Sequence, residues 1–299
     1  MKKSTKFLLI GGMSLFALGC ILLLIGILTG GMKQWNEHTH QNGIVFQKYF
    51  TTNSVNFDMD FGDLEGYTIL EGDFEQTTLS DADKIKNVTL MIGGGSVQVL
   101  KSEDQSINAA AEYDDRYGFK VEGDTLYIKS LQDEYYDNNN ELIIYVPENV
   151  TFESVDCELG AGEILASSIS ANEMNVSIGA GRLEVASLFA DQFTFEIGAG
   201  EIIVENGTVG TADMSIALGN FEFDGIISKG ADIECSMGNV SMNLEDEMKD
   251  YNYEIECAAG EVEVGDDTTA GVASDRTIDN GSDKTISVEC SMGSVSINF

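Results

Sequence analysis

Proline and tryptophan each occur once in the 299 residues, histidine twice, and 16 basic residues face 51 acidic ones, for a formal net charge of −35. A chain so poor in Lys and Arg cannot neutralise phosphates over an extended surface, which excludes repressors, RNA-binding modules and polymerases. Apolar residues are not scarce: 43% of the chain is hydrophobic and 9% aromatic. That is enough to bury a core, so intrinsic disorder is excluded as well.

Charge is missing altogether from Phe7 to Met32, a stretch dense in Leu, Ile, Gly and Met that follows Lys2, Lys3 and Lys6. Phe7 to Leu28 alone, at about 1.5 Å per residue, crosses a hydrocarbon core of about 30 Å. A cleaved signal peptide has a shorter apolar region and a small-residue cleavage site, so the run reads as an uncleaved signal anchor. Ala17-Leu18-Gly19-Cys20 has the form of a lipoprotein box, but eight apolar residues, Ile21 to Leu28, follow Cys20 where a polar tether is expected. The lysines before the span place the N-terminus in the cytoplasm and residues from about 40 onward outside the cell. The expected organisation is a cytoplasmic tip (1–6), a transmembrane signal anchor (7–32), a juxtamembrane linker (33–64) and an extracellular domain (65–299). From residue 41 onward 12 basic residues face 50 acidic ones, a net of −38.

The extracellular part is built from repeats. Ile92-Gly-Gly-Gly-Ser-Val97, Leu159-Gly-Ala-Gly-Glu-Ile164, Ile178-Gly-Ala-Gly-Arg-Leu183 and Ile197-Gly-Ala-Gly-Glu-Ile202 are one motif, with looser copies ending in Gly219, Gly238, Gly260 and Gly293. The final glycines at 162, 181, 200, 219 and 238 are spaced by four steps of 19 residues. A fixed step of this size is the signature of a solenoid. With the final Gly as position 0, apolar residues alternate at −5, −3 and −1 (Val176, Ile178, Ala180; Ile233, Cys235, Met237) and again at +2 and +4 (Leu183, Val185; Val240, Met242). Alternation is the period of a half-buried strand. The parity slips between −1 and +2, which calls for a corner at the Gly and for the unusual dihedrals that Gly supplies. Residues 107–113, 118–122, 126–129 and 142–146 read as an antiparallel meander closed by Pro147, and the polar insertion 266–284 before the last coil reads as a cover for an open edge. The fold class expected is therefore all-β: a parallel β-solenoid of about 19 residues per coil after a meander, plus one N-terminal transmembrane helix.

Cys235, Cys257 and Cys290 occupy position −3, where other coils carry Ile178, Ile197 and Ile216, and Cys157 occupies −5. Extracellular cysteines often form disulfides. Substitution for Ile on a core face favours buried free thiols acting as small apolar side chains. A catalytic thiol would need a histidine neighbour, and the two histidines, His38 and His40, lie beside the anchor.

The recurring Gly-Ala-Gly-Glu-Ile and Ser-Met-Gly-Asn-Val strands, the Ile144-Tyr-Val-Pro147 strand and the terminal Gly293-Ser-Val-Ser-Ile-Asn-Phe299 resemble the DUF4097 family, over about residues 65–299. The resemblance implies a β-solenoid cell-surface protein of the Gram-positive envelope, of the kind labelled putative adhesins, with some relatives encoded beside envelope-stress genes. It carries over no catalytic or ligand residue.

Outward carboxylates recur by position, with Glu158, Glu196 and Glu234 at −4, Glu163 and Glu201 at +1, and Glu184 and Glu222 at +3. Glycosidases of β-helix fold use clustered carboxylates, but these are spread along the solenoid and suit a solvated face. No Lys-Ser/Thr follows the Gly-rich corners, so they are not phosphate loops. No enzyme activity, catalytic residue or cofactor is expected. Divalent cations such as Ca²⁺ are the alternative reading of the stacked charge, with Glu158, Glu196, Glu234, Asp58 and Asp60 as candidate ligands. The function expected is adhesion or interaction at the cell surface, toward wall or host components, with an accessory role beside a membrane protein in an envelope-stress system as the alternative.

Overall fold

The computed structural model describes residues 64–113, 115–130, 141–270 and 274–299. The anchor, the linker, Asp58 and Asp60 lie outside the described residues. Among the described residues no helix is long and apolar enough to cross a membrane, and the helical pieces are short 3₁₀ turns at Ala82–Lys84 and Met248–Asp250. The protein is all-β in this part.

The centre of the fold comprises β8 (Phe152–Ala166), β9 (Ile169–Ile178), β10 (Arg182–Val185), β11 (Leu188–Ile197), β12 (Glu201–Ile216), β13 (Asn220–Cys235) and β14 (Asn239–Leu244). These strands pair in parallel. Arg182 lies between Glu163 and Glu201, and Leu188 between Ile169 and Gly207, each a 19-residue displacement. The register is solenoid-like, as the sequence period requires, and side chains of one kind stack rung upon rung at about 4.8 Å. Val176, Ile178, Leu183, Val185, Leu188 and Ala190 of one coil are all buried. Four phenylalanines from neighbouring coils interleave inside, with the Phe195 and Phe221 ring centroids 4.5 Å apart.

The corner differs from the expected one. Ala180, Ala199, Leu218, Met237 and Met292, at −1, face outward, while the corner glycines Gly181, Gly219 and Gly238 are buried. The inward set is therefore −5, −3, 0, +2 and +4. The glycines are needed for space: among the eight corner positions only Gly95 has a left-handed φ, +107°. A Cβ on Gly200 would stand 2.3 Å from the Gly181 carbonyl oxygen and 2.6 Å from Ile178 Cγ2. Alternation could not reveal this, because an Ala, Leu or Met at −1 reads as inward whichever way the chain turns.

Both ends of the parallel stack depart from chain order. On the N-terminal side lie β1 (Thr68–Ile69), β2 (Thr77–Asp81), β3 (Asn87–Lys101), β4 (Ser106–Ala111), β5 (Tyr117–Glu122), β6 (Thr125–Ser130) and β7 (Glu141–Val146). The meander expected over 107–146 is not formed, although its four strands are present. Only β5 and β6 pair as an antiparallel hairpin; β6 and β7 run parallel to the two halves of β3, which in turn lies against β8. β4 pairs antiparallel with β7 and β2, and β1 with β5, which closes this end. Period-2 patterning reports which face is buried and is silent on strand direction, hence the difference.

The C-terminal side comprises β15 (Asn252–Cys257), β16 (Glu261–Val264), β17 (Asp267–Ala270), β18 (Ser274–Ile278), β19 (Thr285–Cys290) and β20 (Ser294–Asn298). The last coil in sequence is not the last in space. β19 and β20 lie between β13 and β14 on one side and β15 and β16 on the other. The insertion does cover the edge, since β18 and β17 pair antiparallel with β15 and β16. The corner glycines follow the same spatial order: a Cβ on Gly293 would meet the Gly238 oxygen at 2.4 Å, and one on Gly260 the Gly293 oxygen at 2.4 Å.

Candidate functional site

The outward corner is the most distinctive surface among the described residues. At −1 the stack reads Ala161, Ala180, Ala199, Leu218, Met237, Met292 and Ala259. Each rung is tied to the one before by a backbone hydrogen bond, for example Leu218 N–H to the Gly198 oxygen and Met292 N–H to the Ser236 oxygen. Leu218, Met237 and Met292 are 57%, 46% and 53% exposed on consecutive rungs. Three large apolar side chains aligned in solvent form a ridge, which isolated surface residues do not.

Beside the ridge runs a polar column at +1. Ser96 donates to Glu163 Oε1 at 3.2 Å, Arg182 Nε lies 3.2 Å from Glu201, and Asn239 Nδ2 donates to Asn220 Oδ1 at 3.0 Å. Arg182 also meets Glu184 at 2.6 Å. Where the −1 side chains are only alanine, the two columns enclose an open groove of about 600 Å³ lined by Ala161, Glu163, Ala180, Arg182, Ala199 and Glu201. The groove passes into the ridge as alanine gives way to leucine and methionine.

Of the candidate cation ligands, the three among the described residues, Glu158, Glu196 and Glu234, do not lie in register with one another. Glu158 pairs across to Ser177, Glu196 lies between Ser177 and Ser215, and Ser215 separates Glu196 from Glu234. The swapped coil order instead stacks Glu234, Glu289 and Glu256 on consecutive rungs. Burial raises the Glu234 carboxyl above its ordinary value, and Glu289, Asp232 and Asp213 raise it further. Asp213, in register with Asp232, is raised by burial and by that neighbour. Among the described residues no three ligating side chains converge on one point.

A half-buried polar cluster around the buried Tyr251 at the C-terminal end had no signature in the sequence. The Tyr251 hydroxyl lies 2.8 Å from the Ile227 oxygen and 2.7 Å from Asp246 Oδ2, and Lys284 reaches the same carboxylate at 2.7 Å. Hydrogen bonding from Lys284, then from Tyr251, holds the Asp246 carboxyl below the usual range. The Lys284 ammonium sits 4.9 Å from the Tyr251 ring centroid, and Phe299 packs on Tyr251 and Tyr253. The network joins three segments that only the swapped order brings together.

The Toastrack DUF4097 family profile matches residues 84–298. The chain belongs to that family. Among solved structures, the Toastrack chain is similar to a "putative adhesin" of Bacteroides fragilis, with 10% identity over 75% of this chain and 95% of that one and a TM-score of 0.41. It is similar also to a "putative adhesin" of Parabacteroides merdae (11%, 77% and 98%, TM-score 0.39) and to a "putative lipid binding protein" of Parabacteroides distasonis (15%, 76% and 96%, TM-score 0.40). A search of curated proteins finds no match.

Proposed function

We propose that this Toastrack protein is a non-enzymatic interaction module of the cell surface: a parallel β-solenoid held by one N-terminal transmembrane anchor, with the N-terminus in the cytoplasm. The ridge of Leu218, Met237 and Met292 carries the reading, because a solvent-exposed apolar line beside a hydrogen-bonding column is a docking surface and not a reaction centre. The polar repeats beside it favour contact with an extended wall or host-surface component, as adhesion requires. The test uses intact cells and purified wall material. External protease should release the C-terminal domain, and Leu218→Glu, Met237→Glu and Met292→Glu together should reduce wall retention at least tenfold, equivalent to about 1.4 kcal/mol, without changing the melting temperature by more than a few degrees. Protection from external protease would sink the orientation, and undiminished retention of the triple variant would sink the ridge.

A further inference from the structure

Three thiols form a ladder. Cys235 on β13 is in register with Cys290 on β19, which is in register on its other side with Cys257 on β15. All three are buried, at 2%, 3% and 2% exposure, and carry free thiols. Neighbouring parallel strands stack at about 4.8 Å, inside the Cα separations of about 4.4–6.8 Å that a disulfide spans. The outer two are two rungs apart, about 9.6 Å, and out of reach of one another. The thiols also lean along the stack. Cys235 Sγ lies 2.5 Å from where a Gly293 Cβ would stand, and Cys290 Sγ 2.6 Å from that of Gly260. Cys235 Sγ thus borders the coil that holds Cys290, while donating to the Gly238 oxygen of its own coil at 3.2 Å, and Cys290 Sγ borders the coil that holds Cys257.

We propose that Cys290 is the shared member of a disulfide that joins it to Cys235 or to Cys257, one at a time, and so staples the inserted C-terminal coil to an adjoining coil. The reaction consumes a low-molecular-weight or protein disulfide. A thiolate of the pair attacks that oxidant and releases one of its sulfurs as a thiol. The second thiolate then attacks the mixed disulfide and releases the other. Two protein thiols thus lose two electrons and two protons, and the oxidant gains them. Burial pushes the Cys290 thiol up to about 11 and Cys157 to about 12, and thiolates are the reactive form. The bond therefore forms while β19 is being seated, before the ladder is closed to solvent. Cys157 is the internal control, because its register partners are Leu90 and Val176. The chemistry is independent of the cellular location proposed above.

Full-length protein in detergent should be unfolded in reductant, refolded with a glutathione redox mixture, denatured, alkylated and mapped by mass spectrometry. The expected result is loss of two thiols, with Cys235–Cys290 and Cys257–Cys290 peptides and no Cys235–Cys257 peptide, and a melting temperature that falls on reduction. Cys235→Val should direct the link wholly to Cys257, Cys257→Val wholly to Cys235, and Cys290→Val should abolish it. Five free thiols in protein refolded to its native circular dichroism would overturn the proposal. So would a link through Cys157 or Cys20, or one between Cys235 and Cys257 in the Cys290→Val protein.

Discussion

Gly200 and Ala199 are chain neighbours with opposite duties at the corner. Ala199 stands in solvent, whereas a Cβ on Gly200 would run into the Gly181 carbonyl of the coil before it. Backbone cannot yield as a flexible side chain does, so Gly200→Ala forces rungs apart and costs about 3 kcal/mol. For a domain of this size that is a fall of about 6–12 °C in melting temperature. Ala199→Ser should stay within about 0.5 kcal/mol. Calorimetry on both variants checks the assignment of the inward position: equal effects would mean that the corner was placed wrongly. The glycines themselves were legible as corner residues. Whether they were there for dihedral freedom or for close approach was not, since that depends on the carbonyl one coil away.

Among elements, β15 and β16 decide how the chain ends. They pass over the rung beside β13 and β14 and leave it for β19 and β20. Tyr251 and Tyr253, both fully buried, lie at that crossing, where the Tyr251 hydroxyl joins Asp246 and the Ile227 oxygen. Asp246 has its carboxyl lowered in the folded protein, chiefly by Lys284. A depressed carboxylate contributes stability above its unfolded value of about 3.9, and that contribution is lost as pH falls through the lower folded value. Asp246→Asn should therefore cost about 1 kcal/mol at pH 7 and progressively less in acid. Urea midpoints at pH 7 and pH 3 measure this, and a cost that grows toward pH 3 would refute the sign. Nothing in the spacing of Asp246, Tyr251 and Lys284 marks them as partners, because a strand pair 33 residues apart in sequence brings them together.

Across the described domain, the insertion of β19 and β20 makes the last coil in sequence an interior rung of the stack. Ile286, Val288, Val295 and Ile297 are buried between two other coils. At about 1.5 kcal/mol for each, the low end for a buried aliphatic, they contribute about 6 kcal/mol. Deleting 285–299 should thus strip hydrogen-exchange protection from residues 220–264 on both sides of the gap. A solenoid stacked in chain order would lose one terminal rung and keep the rest. Exchange measured by mass spectrometry separates the two, and full protection of 220–264 in the truncated protein would contradict the swapped order.

The repeat made much of this legible in advance. The 19-residue step, the inward faces at −3, +2 and +4, the thiols among them and the edge-covering insertion all follow from local pattern, because burial on one face imposes a period on the side chains that the sequence must carry. The sequence of this chain by itself determined an acidic all-β stack of Toastrack type. Tertiary structure alone decided which rung lies beside which. It set β6 and β7 parallel to β3, placed the last coil inside the stack, and thereby brought Cys290 between two thiols and Leu218, Met237 and Met292 onto consecutive rungs. Every rung offers nearly the same backbone hydrogen bonds and apolar faces to a neighbour. Order among them is therefore settled by long-range contacts such as the Tyr251 network, which have no local period to betray them.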